Sequence, residues 1–297
     1  MPPQTLNGPA NPAMDIIQGY QNLVHGVSLG LALIDQWYTS LFPAPVPRLP
    51  PFPLRLLAQG SPDIPSFLVA GQESRRAIDA AVAKLGKWTW DFPNILDFGS
   101  GCGRTLIQMR DLVPQVTLWG TDIAEESVRW CQRHLPFAKV GLNKPLPPLE
   151  YENDKFDLIY AMSVFTHLEE SAQFAWLAEL NRVLKPGGIL LLTFLGYDPD
   201  RQIPPITDPA QVALRALTGL TLDPWREPSP DQLAQLREHG FVFVPTKVKW
   251  LFYEGYGTAY HRRDYIKTRY AAVMGVVEYL PDALLQTLDL AVLRKRT

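Results

Sequence analysis

An α/β fold built on a mostly parallel sheet is predicted by three features of the sequence. Strand-like and helix-like patterns alternate from Asn94 onward, short apolar runs stand where both faces of a sheet would be covered, and alternating glycines follow the first run. With 297 residues, 46% of them hydrophobic, the chain can bury a substantial core.

The elements follow in order. Apolar residues at Ile16, Tyr20, Leu23, Val27, Leu31, Ile34, Tyr38 and Leu41 recur every three or four positions, as one face of a long helix requires. That helix either packs on its own domain or serves as a lid or dimer seam. Pro43, Pro45, Pro47, Pro50, Pro51 and Pro53 then remove amide donors and fix φ, which predicts an extended linker. Residues 1–60 are therefore read as a helical extension with its linker, and 61–297 as the main domain.

Within that domain Ser74 to Leu85 is expected to be helical. Strands are expected at Asn94–Phe98, Val116–Thr121, Phe137–Leu142, Phe156–Ala161 and Ile189–Phe194, with helices at Thr105–Leu112, Glu125–His134 and Ser171–Leu184 between them. Lys185-Pro186-Gly187-Gly188 is expected to stop the last helix and turn the chain into the fifth strand. Beyond Gly196 the alternation lapses over a stretch rich in proline and aromatics, too long for an ordinary connection, and 197–260 is read as an inserted cap. A helix at Tyr260–Val273 and strands at Gly275–Leu280 and Leu285–Leu293 are expected to close the sheet as an antiparallel pair. Asp231 to Val244, helix then strand, is the alternative start of that last unit.

Composition bounds the partners. The 28 basic and 30 acidic residues are well mixed, whereas a phosphate-tracking surface needs a dense basic excess, so no nucleic-acid partner is expected. Two cysteines, Cys102 and Cys131, allow neither a disulfide framework nor a four-cysteine metal site; no metal is expected, and a reducing compartment is. Met1-Pro2-Pro3-Gln4 lacks the basic start of a secretory signal, and Leu23–Ile34 is shorter than the roughly 20 residues a bilayer demands. A cytoplasmic protein without a membrane span is the expectation.

The segment Ile95-Leu96-Asp97-Phe98-Gly99-Ser100-Gly101-Cys102-Gly103-Arg104 sets three glycines between a buried strand and a helix. Lacking Cβ atoms, they let backbone approach a ligand closely at the carboxyl edge of the sheet. A dinucleotide fingerprint needs G-x-G-x-x-G, but from Gly99 the third position falls on Arg104 and from Gly101 on Leu106, so both registers fail. At the next strand end stands Gly120-Thr121-Asp122-Ile123, at the spacing from which a carboxylate can accept both hydroxyls of a ribose.

The glycine turn resembles motif I of the class I S-adenosylmethionine-dependent methyltransferases. The likeness continues through Pro145–Leu149, Phe156–Ala161, Ser163–Leu168 and Leu180–Leu192, and is similar to the type 11 and type 12 methyltransferase families. It implies a Rossmann-like sheet of seven strands, the last antiparallel, with helices on both faces, binding S-adenosyl-L-methionine and releasing S-adenosyl-L-homocysteine. By the same resemblance Asp97 answers the cofactor's ammonium group, Gly99, Gly101 and Gly103 surround its methionyl and ribose parts, and Asp122 grips the ribose. Asn143 is expected against adenine, although many relatives carry Asp there, and Ala161 is expected to offer its carbonyl to the methionyl amine. Ser100, Cys102, Arg104, Ile123 and Ser163 complete the expected cofactor contacts, Cys102 as a small packing residue.

Methyl transfer from a sulfonium is an in-line displacement in which alignment is the protein's main task. A hydroxyl acceptor must also lose a proton, and a histidine near neutrality is the usual acceptor of it. His167, following the fourth strand, is the first candidate; its alternative role is to close the pocket by bonding backbone. His261 is the second, with a solvated helix face as the alternative. The aromatics from Trp225 to Tyr270 serve either an acceptor pocket or a packed cap. Tyr160-Ala161-Met162-Ser163 in place of an Asn-Pro-Pro-Tyr-like run argues against nucleobase amines. The expected activity is O-methylation of a metabolite, natural product or sugar by a monomer or homodimer. The rivals are a cofactor-binding module without transfer and a rearrangement assisted by the sulfonium charge.

Overall fold

The computed structural model describes residues 49–59, 64–197, 228–245 and 255–297. The expected helix at Ile16–Leu41 lies outside the described residues, as do 198–227 and 246–254 of the expected cap. Residues 54–297 form one compact unit; of the other unit, 1–53, only 49–53 are described.

The described helices begin with α1 (Phe52–Gln59), all but its first two residues in the main unit, and α2 (Ile64–Ala83), the latter beginning ten residues before the expected Ser74. Pro65 sits in its first turn, where the missing N–H costs no intrahelical bond. Then follow β1 (Asn94–Phe98), α3 (Arg104–Gln108), β2 (Thr117–Asp122), α4 (Glu125–His134), β3 (Ala138–Leu142), β4 (Phe156–Ala161), α5 (Glu170–Val183) and β5 (Leu184–Gly196). The chain continues through α6 (Pro230–His239), β6 (Phe241–Pro245), β7 (Gly257–His261), α7 (Arg263–Arg269), β8 (Gly275–Leu284) and β9 (Leu288–Arg294).

Local chemistry sets these limits. Helix α4 carries Glu125 and Glu126 in its first turn and Arg133 in its last, each charge matched to the helix dipole. Ser229 and Gln232 form a reciprocal cap on α6, Pro230 fills its first position, and Gly240 ends it in the left-handed region. Helix α3 is shorter than expected: after Gln108 the chain tightens into a 3-10 turn at Arg110–Leu112.

Strands β3, β2, β1, β4 and β5 are parallel neighbours in that order. β9 runs antiparallel to β5, and β8 antiparallel to β9. From β1 the chain builds outward to β2 and β3, then crosses to β4 and β5 on the other side. That reversal opens a crevice at the carboxyl ends of β1 and β4. Beneath it, Phe98 meets Trp176 of α5 at 4.7 Å between ring centres, and Leu177, Leu180 and Val183 carry the apolar face along the helix.

Three expectations change. Lys185-Pro186-Gly187-Gly188 is not a separate turn: β5 starts at Leu184 directly after α5, and Gly187, at φ +75°, absorbs a bulge where the register with β4 shifts. The expected helix from Tyr260 begins only at Arg263, because Gly257–His261 is a fully buried strand. That strand pairs with β6 and with the last two residues of β5, Leu195 and Gly196. The helix and strand at Asp231–Val244 do form, as α6 and β6, but they add an extra pair and do not start the closing unit. The described residues therefore hold nine strands where the resemblance implied seven.

Candidate functional site

The glycine turn hangs from β2. The amides of Gly99 and Ser100 both donate to the Thr121 carbonyl, at 2.8 and 3.0 Å, and the Gly101 amide donates to Asp122 Oδ2 at 2.7 Å. The other carboxylate oxygen of Asp122 accepts the Ala124 amide at 2.8 Å. Gly103 has φ +79°, and a Cβ there would lie 2.4 Å from Leu135 Cδ1, so its bareness serves packing. Gly101, at φ +52°, differs: a Cβ would meet nothing nearer than Ala58 at 3.7 Å. The open side of the turn is where a ligand can come close.

That side faces a cavity of about 440 Å³ at the crevice. Its walls include Asp97, Gly99, Ser100, Gly101 and Arg104 from the first strand and turn, and Asp122 and Ile123 from the second. Asn143, Ser163 and His167 complete the set of expected residues that line it. Cys102, Gly103 and Ala161 do not line it. The Cys102 thiol is fully buried, 3.5 Å from the Leu54 carbonyl, and burial pushes it up to about 12, so it is an inert packing group.

Asp97, the penultimate residue of β1, has only 3% of its surface exposed. Burial pushes its carboxyl up to about 8; the neighbouring Tyr160 hydroxyl opposes the rise, Asp122 adds to it, and the Arg104 charge pulls it back. A carboxyl so placed gains ionisation when a cation arrives in the cavity. Asp122 is likewise raised by burial and held back by its amide donors. Asn143 has its own bonds: Oδ1 accepts the Thr121 hydroxyl at 2.9 Å and Nδ2 donates to the Lys144 carbonyl at 2.8 Å.

The turn after β4 makes the opposite wall. Ser163 adopts φ +60°, a strained value for a residue with a side chain, and the Thr193 hydroxyl of β5 receives its amide at 2.7 Å. His167 sits in the 3-10 turn Phe165–His167, its ring stacked on Tyr256 at 4.5 Å. Its Nδ1 lies 2.9 Å from the Gly257 carbonyl, which can only accept, so Nδ1 carries the proton and Nε2 the lone pair. Burial lowers this ring to about 4, the bond to Gly257 opposing, so it is neutral at pH 7.

His261 does not reach the cavity and is not a solvated helix residue either. It ends β7, fully buried between the rings of Phe194 and Phe241, with burial lowering it to about 3. Reading the sequence missed Tyr160, Thr193 and Gln173, which had a signal, a polar group amid an apolar run on a strand or helix face. Tyr256 belongs to the aromatics from Trp225 to Tyr270 expected to line an acceptor pocket or pack a cap, and it lines the cavity.

A glycine turn bonded to a strand-end carboxylate thus stands at the switch point of a parallel sheet closed by an antiparallel strand, the Rossmann-like arrangement. Residues 95–188, about a third of the chain, match the family model described as a methyltransferase domain, in keeping with the resemblance to the class I S-adenosylmethionine-dependent methyltransferases. It is 30% identical over 176 residues to a ubiquinone biosynthesis O-methyltransferase of Dinoroseobacter shibae, covering 52% of this chain and 66% of that one. It is 32% identical over 114 residues to a 2-methyl-6-phytyl-1,4-hydroquinone methyltransferase of Synechocystis, covering 37% of this chain and 34% of that one. The chain thus spans just under two thirds of the first relative's length and about a third of the second's. The crystal structure of the PH0226 protein of Pyrococcus horikoshii shares the fold, with a TM-score of 0.50 at 16% identity, covering 78% of this chain and 96% of that one.

Proposed function

We propose that this chain transfers a methyl group from S-adenosylmethionine to an oxygen of a small acceptor. The bond from Gly101 to Asp122 carries the reading, since it brings the bare turn and the strand-end carboxylate to one cavity wall. The cofactor, when bound, supplies a methyl group on a sulfonium. The residues present fit it: Asp97 is a buried carboxyl short of a cation, Gly101 leaves room for a ligand, and Asp122 keeps acceptor capacity beside its two amide bonds. In this reading Asp97 takes the ammonium group, Asp122 the ribose hydroxyls and Asn143 the adenine edge. Ser100, Arg104, Ile123 and Ser163 shape the remaining wall.

In this reading His167 takes the acceptor's proton, as a weaker base than the near-neutral one expected, since burial lowers its ring to about 4. Its ring is neutral and in a fixed tautomer, and Tyr256 stacked on it adds a flat apolar surface where an acceptor ring can lie. The two curated relatives, named for ubiquinone biosynthesis and for a hydroquinone, favour a phenolic acceptor over a sugar. Residues 1–60 and 197–260 are the parts proposed to select it, in a cytoplasmic monomer or homodimer without metal.

Calorimetry with S-adenosylmethionine and with a nicotinamide dinucleotide tests the first half: only the former is expected to bind. Incubation with simple hydroquinones and catechols, read by mass, tests the second. A gain of one methyl supports transfer. Cofactor binding with every acceptor unchanged would favour a binding protein of the same fold, and an isomerised acceptor of unchanged mass a rearrangement.

A further inference from the structure

Gln173 is fully buried in the first full turn of α5, on the face that otherwise presents Ala172, Trp176 and Leu177 to the core. A long amide at such a position loses side-chain freedom and must find every partner inside the protein. It does. Both hydrogens of Nε2 are donated, to the Phe165 carbonyl at 2.8 Å and the Leu168 carbonyl at 2.9 Å. Oε1 accepts the Tyr270 hydroxyl at 2.5 Å and His261 Nε2–H at 2.9 Å.

The two carbonyls flank His167. The turn between them is closed by the His167 amide donating to the Val164 carbonyl at 2.9 Å and by a bridge from Leu168 to Tyr256. Gln173 therefore joins three segments: the turn bearing His167, the strand β7 that ends in His261 and begins at Gly257, and the Tyr270 turn. Gly257 supplies the carbonyl that sets the His167 tautomer. We propose that Gln173 is a positioning residue for His167, holding the Phe165–Leu168 turn and β7 at the separation that lets Nδ1 meet the Gly257 carbonyl. His261 belongs to this device as a fixed neutral donor and not to the chemistry.

The inference rests on the reading of His167 under the proposed function, and the test separates the two. In the full chain labelled with 15N-histidine, His167, assigned from the His167→Ala spectrum, is expected in the Nδ1–H form between pH 5 and 7. In Gln173→Met, which keeps chain length and removes all four hydrogen bonds, its nitrogen shifts move toward those of a mixed tautomer. Turnover with whichever phenol is methylated falls on the order of tenfold or more, through kcat and not through the KM for S-adenosylmethionine. Added to His167→Ala, the same substitution costs no further turnover. If Gln173→Met does not fold, Tyr270→Phe, which removes one bond to the amide, is expected to shift the His167 signals partway while the exposed His239 stays put. His167 signals identical to wild type in the folded variant overturn the positioning role. A shifted spectrum with turnover indifferent to His167→Ala overturns the general base and leaves the positioning role standing.

Discussion

The Gly101 amide donates to Asp122 Oδ2 at 2.7 Å, joining residues 21 positions apart into one wall of the cavity. The carboxylate has two tasks, shaping the turn and facing the ligand. Asp122→Ala removes an acceptor from two amides and from the proposed ribose. Hydrogen bonds to a charged group are worth about 1.5–3 kcal/mol each, so affinity for S-adenosylmethionine should fall roughly 10- to 150-fold or more. Calorimetry reads the loss, and an unchanged affinity would remove the ribose assignment.

Gly101→Ala and Gly103→Ala separate the two uses of the glycines. Each forces a side chain into the left-handed region, costing about 1–2 kcal/mol. At Gly103 the new methyl also strikes Leu135, so melting temperature should drop most there. At Gly101 space is open, so stability suffers less and cofactor affinity more. The reverse ranking would place the ligand elsewhere.

Asp97 predicts a pH dependence with a definite sign. Its carboxyl is raised from 3.8 to about 8 in the folded, ligand-free protein, so it holds a proton at pH 7 that the unfolded chain would not. Its contribution to stability is present at low pH and is lost as pH rises from about 4 to about 8. A cationic ligand drives that proton off. Binding at pH 7 should therefore release protons, seen as an enthalpy that varies with the ionisation heat of the buffer, and affinity should climb toward pH 8 and level off. Asp97→Asn should bind weakly and show neither effect.

The two histidines with lowered rings act in the opposite sense. His167 and His261 are lowered from 6.5 to about 4 and about 3, so both stabilise the fold above pH 6.5 and lose that contribution as pH falls toward 4. The difference in melting temperature between wild type and His261→Phe should grow smaller over this interval. A constant difference would mean that His261 is not held neutral.

His167→Ala should slow transfer roughly 10²- to 10⁴-fold, the range for a lost general base, while cofactor affinity stays within about threefold. The wild-type rate should show no histidine inflection between pH 5 and 8, since the ring is already neutral there. A break near 6.5 would contradict the buried, hydrogen-bonded imidazole.

Much of the parallel half was legible because each element there obeys a local rule. Asn94–Phe98, Glu125–His134 and Phe156–Ala161 match their expected limits residue for residue. Asp97, Gly101 and Asp122 were legible as neighbours because they stand at or just beyond the carboxyl ends of adjacent strands, where topology brings loops together. The region from Gly196 onward followed a different rule. Gly257–His261 is too short to display a period, and it becomes a strand by pairing along its whole length with β6 and at its end with Leu195 and Gly196, where β5 outruns β4. His261 misled for a related reason: its sequence neighbours Arg262, Arg263 and Asp264 are charged, while its own burial comes from Phe194 and Phe241, distant in the chain. Gln173 was passed over since periodicity marks a helix face and says nothing of what a polar group on that face will bond.

Strand β5 shares its last rung with β4 at Leu192 and its next partner, β7, begins at Leu195. The Gly257 carbonyl behind His167 is thus tied by main-chain pairing to the same slab that holds Asp97 and Asp122. The donor and acceptor sides of the proposed site are indexed to a single backbone lattice, so a change in the connecting loops would retune acceptor preference without detuning the line of attack.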